Sequence, residues 1–204
     1  MSGTRFGVLI SGSGSNLQAI LDACASGAIA GEVAIVISNK ADAYGLVRAE
    51  LASVPALHLD PKTFATRGEY DHALRLALDE ARTDFVVMAG YMKLLGAEVL
   101  DAYPQRVVNL HPALLPSFPG AHGISDAFNA GVKITGVTVH FANEVFDEGP
   151  IIAQRPVPIL EDDTVDTLEE RIHEVEHALF PEVLAAIADG RVTVEGRRVH
   201  VASR

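Results

Sequence analysis

A chain of 204 residues, 49% of them hydrophobic, can bury a full core and reads as a single domain, residues 1–204. Its 27 acidic and 16 basic residues leave a formal charge of −11, which argues against nucleic acid as a partner, because such binding needs a basic face to displace counterions. One cysteine, Cys24, rules out an intrachain disulfide and a multi-cysteine metal site, and the opening apolar run is too short for a signal segment or a membrane span, so a soluble cytoplasmic protein is expected.

Residues 6–10 form an apolar run that ends in Ser11-Gly12-Ser13-Gly14-Ser15-Asn16, after which Leu17, Ile20, Leu21 and Cys24 recur at helical spacing. Strand, glycine loop and helix in that order suit an anion, because glycines let the backbone approach a ligand while the free N–H groups and dipole of a helix start favour negative charge. Leu17 stands where a dinucleotide fingerprint needs its third glycine, and the Gly-Lys-Ser/Thr of a Walker loop is absent. A phosphomonoester site is one reading; a plain turn in which Ser15 or Asn16 caps the helix is the other.

A second strand is expected at 33–37, then the turn Ser38-Asn39-Lys40, a helix at 44–52 and a third strand at 57–59. A helix at 66–82 puts Tyr70, Ala73, Leu74, Ala77 and Leu78 on one face, and a fourth strand follows at 85–88. Strands alternating with helices at this pitch specify a mostly parallel sheet with right-handed crossovers. The fourth strand runs into Ala89-Gly90-Tyr91-Met92-Lys93-Leu94-Leu95-Gly96, at the sheet edge where ligands gather in such folds, although a Tyr/Met/Leu cluster is more simply core.

After a short helix at 97–101, a fifth strand at 106–110 delivers Asn109 and His111 to a loop stiffened by Pro112, Pro116 and Pro119. If the strand runs through His111, the two side chains face the same way. An isolated pair of this kind is most simply two satisfied polar groups in a turn. A helix near 124–129 precedes a strand at 136–142, in which Val137, Val139 and Phe141 alternate with Thr138 and His140. Gly149 and Pro150 break the acidic turn that follows, which leaves Asp147 on a loop, and Pro156 and Pro158 mark a strand at 151–157 as an edge. A long helix at 164–189 carries Val165, Leu168, Ile172, Val175 and Leu179 at core spacing, with a kink expected at Pro181. Within it His173-Glu174-Val175-Glu176-His177 matches the H-E-x-x-H of zinc enzymes, but no third ligand stands out downstream. Residues 192–201 form a hairpin around Glu195-Gly196. The whole predicts an α/β fold: an open, mostly parallel twisted sheet of about seven strands with helices on both faces, a Rossmann-like first half at about 1–104, a second half at about 105–204 and a C-terminal β-hairpin.

The segments Ser11 to Gln18, Ser38 to Ala43, Ala89 to Leu95, Asn109-Leu110-His111-Pro112-Ala113-Leu114-Leu115-Pro116, Phe118-Pro119-Gly120-Ala121-His122 and Asp147-Glu148-Gly149-Pro150 together give a chain that resembles, end to end, the phosphoribosylglycinamide formyltransferase family, folate-dependent enzymes of purine synthesis. The central N-x-H-P-x-L-L-P is shared more widely among folate formyl-transferring enzymes, whereas the opening glycine loop and the length point to this branch. The resemblance implies that Gly14, Ser15 and Asn16 hold a substrate phosphate and that Glu176 contacts the ribonucleotide. It also implies that Arg67, Met92, Lys93, Leu94, Leu95, Asn109, Asn143, Glu144, Val145, Phe146 and Asp147 surround the folate, with Asn109, His111 and Asp147 as the catalytic trio. Formyl transfer from N10-formyltetrahydrofolate to the amine of 5'-phosphoribosylglycinamide, with no metal, no nucleic acid and no membrane, in a monomer or a homodimer, is the activity implied. Lys93 stands where arginine is common, Ser117 where lysine is common, and Glu148 adds a carboxylate beside Asp147. Pairing with Asp147 is expected to raise the His111 pKa and leave it charged. The rival readings are a related formyltransferase or formyltetrahydrofolate hydrolase with another acceptor, a zinc hydrolase built on His173 and His177, and a non-catalytic nucleotide-binding module that uses the glycine loop alone.

Overall fold

The computed structural model describes residues 3–203. In chain order it contains β1 (Thr4–Ile10), α1 (Ser15–Ala25), β2 (Gly31–Ser38), α2 (Tyr44–Leu51), β3 (Ala56–His58), α3 (Arg67–Glu80), β4 (Phe85–Met88), α4 (Ala97–Ala102), β5 (Val107–His111), α5 (Gly123–Asn129), β6 (Ile134–Phe141), β7 (Ile151–Pro158), α6 (Val165–Ala188), β8 (Val192–Glu195) and β9 (Arg198–Val201). Seven strands form one sheet in the order β3-β2-β1-β4-β5-β6-β7, and β8 and β9 form a separate hairpin. The pairings from β3 to β5 are parallel, while β5–β6 and β6–β7 are antiparallel. The sheet is continuous across position 104, because β4 pairs with β5.

The parallel strands are apolar on both faces because helices cover both. Phe6, Val8, Ile10, Val36, Val87 and Val108 join Leu17, Ile20, Leu168, Ile172 and Phe180 in one cluster under α1 and α6. The alternate positions, Leu9, Ile35, Ile37, Val86, Met88 and Val107, pack with Tyr70, Leu74, Leu78 and Val99 of α3 and α4 in the other. The period-two alternation of a strand thus divides each run between two cores. Pro156 and Pro158 lie on β7, the sheet's outer strand, where missing N–H donors cost least. Among the described residues no helix is long and apolar enough to cross a membrane.

The chain goes from β1 outward to β2 and β3, then returns to lay β4 on the other side of β1. The loops after β1 and β4 therefore diverge at the carboxyl ends of adjacent strands, which opens a crevice at the point where the strand order reverses. Here one expectation is corrected. Neither Ser15 nor Asn16 caps α1: the N-cap is Gly14, in the left-handed region at φ 70°, with no side-chain cap. The loop must press against α2, where a Cβ on Gly14 would lie 2.6 Å from the Gly45 Cα. Ser15 and Asn16 become the first helical residues instead.

Gly14→Ala combines a left-handed backbone with a backbone collision, so it should lower stability by about 1–3 kcal/mol. Gly12→Ala, whose Cβ would meet nothing within 4 Å, is the internal control. Denaturant unfolding that shows equal midpoints for the two variants would refute this account of the loop.

Candidate active site

β5 does run through His111, so Asn109 and His111 share one face of the strand. The antiparallel neighbour β6 sets His140 opposite Asn109 and Thr138 opposite His111. The loop that follows β6 turns back and presents Asp147 in a left-handed conformation, φ 57°, a region aspartate tolerates better than most residues. The Asn109 Nδ2 donates to His140 Nε2 at 3.1 Å and reaches Asp147 Oδ1 at 3.5 Å. Asp147 Oδ2 accepts the Gly120 N–H at 2.8 Å and lies 3.5 Å from His111 Nδ1; its Oδ1 is 3.6 Å from His140 Nε2. His111, His140 and Asp147 are 3%, 1% and 8% exposed.

Carbonyl partners assign the histidine protons. His111 Nε2 is 2.8 Å from the Phe118 carbonyl and His140 Nδ1 is 3.0 Å from that of Phe141, so each of these nitrogens carries hydrogen. His140 Nε2 is then the lone pair that accepts the Asn109 amide. Thr138 braces the proline loop, donating to the Ala113 carbonyl at 2.7 Å and accepting the Leu115 N–H at 3.1 Å, while Gln154 donates to the Leu115 carbonyl at 2.8 Å. That bracing brings the Phe118 carbonyl to His111.

The expected rise in the His111 pKa is overturned. Burial pulls it below the ordinary histidine value, and the opposing pull of Asp147 and the Phe118 carbonyl does not restore it; His140 adds to the fall. For Asp147 burial acts upward, but its contacts with His140 and the Gly120 N–H, together with the attraction of His111 and His140 in their charged forms, outweigh it and hold the carboxyl below the ordinary value. At neutral pH the Nδ1 lone pair and the carboxylate thus face each other without a proton between them, an arrangement ready to accept one.

The loops after β4 and β6 form two walls. Asn109, His140 and Asp147, with Met88, Leu94, Leu95, Asn143, Val145 and Phe146, line a recess of about 30 Å³, room for little more than a water. Leu94 and Phe146 also border a cavity of about 510 Å³, lined further by Phe64, Arg67, Tyr70, Asp71, Met92 and Lys93. Of the folate set expected from sequence, only Glu144 faces neither; it borders a different cavity with Asn143 and Val145. The apolar loop after β4 is part core and part pocket. Tyr91 and Leu95 are buried, but Met92 is 56% and Leu94 44% exposed, and Val145 and Phe146 are open on the facing wall. Such a lip of exposed apolar side chains marks a binding surface. Ser11 ties the two sides of the crevice together: its hydroxyl donates to Asn39 Oδ1 at 2.6 Å and accepts the Met92 N–H at 2.9 Å.

On the other side of the crevice, the first helical rung of α1 is Gln18 N–H to the Gly14 carbonyl, so the N–H groups of residues 15–17 precede the ladder. Arg48 adds a cation there, with Nε donating to the Ser13 carbonyl at 2.9 Å and Nη1 to Gln18 Oε1 at 3.0 Å. Nothing in the sequence pairs α2 with this loop. The Asn16 Nδ2 donates to Glu176 Oε2 at 2.8 Å, both residues being buried, and burial pushes the Glu176 carboxyl up. His173 and His177 stack with centroids 6.1 Å apart and planes 16° apart. The motif's Glu174 is exposed, whereas Glu176 is the buried carboxyl. Among the described residues no three His, Cys, Asp or Glu side chains are grouped to hold a metal ion.

His140 is a polar neighbour of Asn109 that was not among the residues expected at the site. Its only signal was an imidazole in the apolar–polar alternation of the strand, and the strand register alone sets it beside Asn109.

The lowered values have a consequence for stability. Below the ordinary histidine value of 6.5, the unfolded chain binds a proton at His111 that the folded chain resists, so stability rises with pH across that range; the depressed Asp147 carboxyl contributes stability that is lost as pH falls through the carboxylate range. The melting temperature should therefore drop between about pH 8 and about pH 5, and His111→Gln should flatten that drop. An unchanged slope in the variant, followed by thermal unfolding across the pH series, would count against the buried neutral imidazole.

The model of the formyl transferase family matches residues 4–184. The phosphoribosylglycinamide formyltransferase of Haemophilus influenzae is 42% identical over 191 residues, which cover 94% of this chain and 90% of that protein. A trifunctional purine biosynthetic protein of Drosophila melanogaster is 46% identical over 192 residues, but the chain spans only 14% of its length. The crystal structure of glycinamide ribonucleotide transformylase 1 from Symbiobacterium toebii superposes with a TM-score of 0.97 at 51% identity, covering 98% of this chain and 95% of that one. With this fold, this crevice and this extent of similarity, the chain belongs to the formyl transferase family, in its phosphoribosylglycinamide formyltransferase branch.

Proposed function

We propose that the chain transfers the formyl group of N10-formyltetrahydrofolate to the primary amine of 5'-phosphoribosylglycinamide, with Asn109, His111 and Asp147 at the reacting centre. The observation that carries this reading is the convergence of the three side chains at the end of β5, between an apolar cavity on one side and a glycine loop at a helix start on the other. The cavity volume of about 510 Å³ lies within the range of small-molecule sites, and its aromatic and aliphatic lining suits a planar ring system. The glycine loop, the N–H groups of residues 15–17 and Arg48 suit a phosphate.

The chemistry follows from these placements. The amine nitrogen attacks the formyl carbon, the new C–N bond forms, and the carbonyl oxygen takes the negative charge. The proton lost by the amine goes to the His111–Asp147 pair, whose facing lone pairs are relieved by receiving it. Collapse of the tetrahedral species breaks the bond to N10, which takes that proton and leaves as tetrahydrofolate. His111 is thus neutral at rest and cationic only while it holds the proton in transit. The two Asn109 N–H groups, directed at rest to His140 and Asp147, can turn one donor to the oxyanion; loss of one such donor in acyl-transfer sites costs about 100- to 1000-fold. Holding both substrates in register supplies more, on the order of 7–11 kcal/mol in the best-oriented cases.

His111→Ala and Asp147→Asn should each lower kcat by about 100-fold or more while the fold persists, since asparagine fits the left-handed position at 147. Release of tetrahydrofolate at the wild-type rate in either variant would remove the trio from the mechanism. Ser15→Ala and Asn16→Ala should act differently, raising KM for the phosphorylated substrate more than they lower kcat. An unaltered KM in steady-state assays would place the phosphate elsewhere.

A further inference from the structure

The loop after β4 carries the lip of the larger cavity, but its outermost side chains do little to hold it in place. Met92 and Leu94 are open to water, so the backbone beneath them is fixed by polar bonds. Two of these come from α3: Arg67 holds the Leu94 carbonyl, and the Tyr70 hydroxyl bonds to that of Tyr91. The third comes from the opposite side of the crevice, where the Met92 N–H donates to the Ser11 hydroxyl at 2.9 Å. Among the described residues it is the one side-chain hydrogen bond that joins this loop to the glycine-loop side.

Ser11 is buried, at 5% exposure, and so is its other partner, Asn39, at 8%. A hydroxyl has one proton and two lone pairs. The proton goes to Asn39 Oδ1 at 2.6 Å, which leaves a lone pair for Met92. Asn39 lies on the connection from β2 to α2, the helix on which the glycine loop is seated. There the Gly45 N–H donates to the Gly12 carbonyl at 3.1 Å, and Arg48 Nε to that of Ser13 at 2.9 Å. One buried hydroxyl, on the residue that opens the glycine loop, thus joins the connections that leave β1, β2 and β4. An alanine would fill nearly the same space; what the hydroxyl adds is a fixed distance between the loops.

An anion seated on the N–H groups of residues 15–17 orders the glycine loop, and with it Ser11. The Met92 N–H is then held before a second ligand reaches the lip, so the entropy of ordering that backbone is lost once and not twice. We propose that Ser11 is a positioning residue that couples the two sides of the crevice: the phosphorylated substrate on the glycine loop tightens the grip of the lip on the folate, and the folate does the same for the ribonucleotide, as linkage requires. The inference rests on the assignment of the two substrates to these two sides.

The test measures binding without turnover, by titration calorimetry of the full chain with 5'-phosphoribosylglycinamide and tetrahydrofolate, which has no formyl group to transfer. In the wild type, saturating ribonucleotide should lower the tetrahydrofolate Kd about five- to tenfold. Ser11→Ala should shrink that ratio to less than about twofold, while Kd for the ribonucleotide alone stays within about twofold of wild type. Asn39→Ala should act in the same direction, and the double variant should lose no more than Ser11→Ala, because both act through one hydroxyl. A merely structural serine would lower the melting temperature and leave the ratio as it was. Wild-type protein that binds the two ligands independently, or Ser11→Ala protein that keeps the coupling, overturns the inference and leaves the proposed function standing. Wild-type protein that binds neither ligand overturns both.

Discussion

The antiparallel pairing of β5 with β6 is the constraint from which the site follows. It sets Asn109 against His140 and His111 against Thr138, and the loop that leaves β6 has only a few residues in which to bring Asp147 back over the pair. A one-residue slip would turn every one of these side chains to the other face of the sheet. The apolar residues of the same strands guard against that slip: Val108 and Leu110, Val137 and Val139 are all buried in one cluster, so a shifted register would expose them or bury charge in their place. The core that stabilises the sheet is therefore also what aligns the polar groups.

Burial then decides the electrostatics. His111 and Asp147 are nearly excluded from water, which penalises the charged imidazole more than the facing carboxylate rewards it. The carboxylate stays ionised because it has what the imidazole lacks, a backbone N–H at 2.8 Å and neighbours on both sides. The result is a neutral imidazole facing a carboxylate, two groups neither of which would be unusual alone. Glu176 is the contrasting case: it is buried with one amide donor from Asn16, and burial prevails, so its carboxyl is pushed up. Two carboxyl groups thus take opposite shifts, according to the donors available.

The two sides of the crevice are built differently. On the glycine-loop side the free donors are backbone N–H groups, and the loop is seated by close approach of Gly14 to Gly45. On the side of the larger cavity, exposed apolar side chains form the lip, but the backbone that carries them is held from below: Ser11 holds the Met92 N–H, Arg67 holds the Leu94 carbonyl, and the Tyr70 and Tyr91 hydroxyls bond to each other. Those exposed side chains on an anchored backbone border the recess of about 30 Å³ beside Asn109 and Asp147.

Much of this was legible in the residues. Apolar runs located the strands, their alternation with helices specified a mostly parallel sheet, and two prolines put β7 at the edge, because each of these depends on periodicities or donor counts that are local to a segment. The glycine loop was visible too, although its cap was misplaced: a left-handed Gly14 is required by the neighbouring helix α2, which the loop's own residues do not reveal. His140 as a partner of Asn109, the engagement of Asn16 by Glu176, Arg48 beside the glycine loop and the direction of the His111 shift were not legible. Pairing across a sheet, distance between residues 160 positions apart and exclusion of water are properties of the packed chain. The sequence by itself determined which elements form and which residue types reach the crevice; only the tertiary structure decided which of them meet, and in what protonation state, because register and burial exist only once the chain has closed on itself.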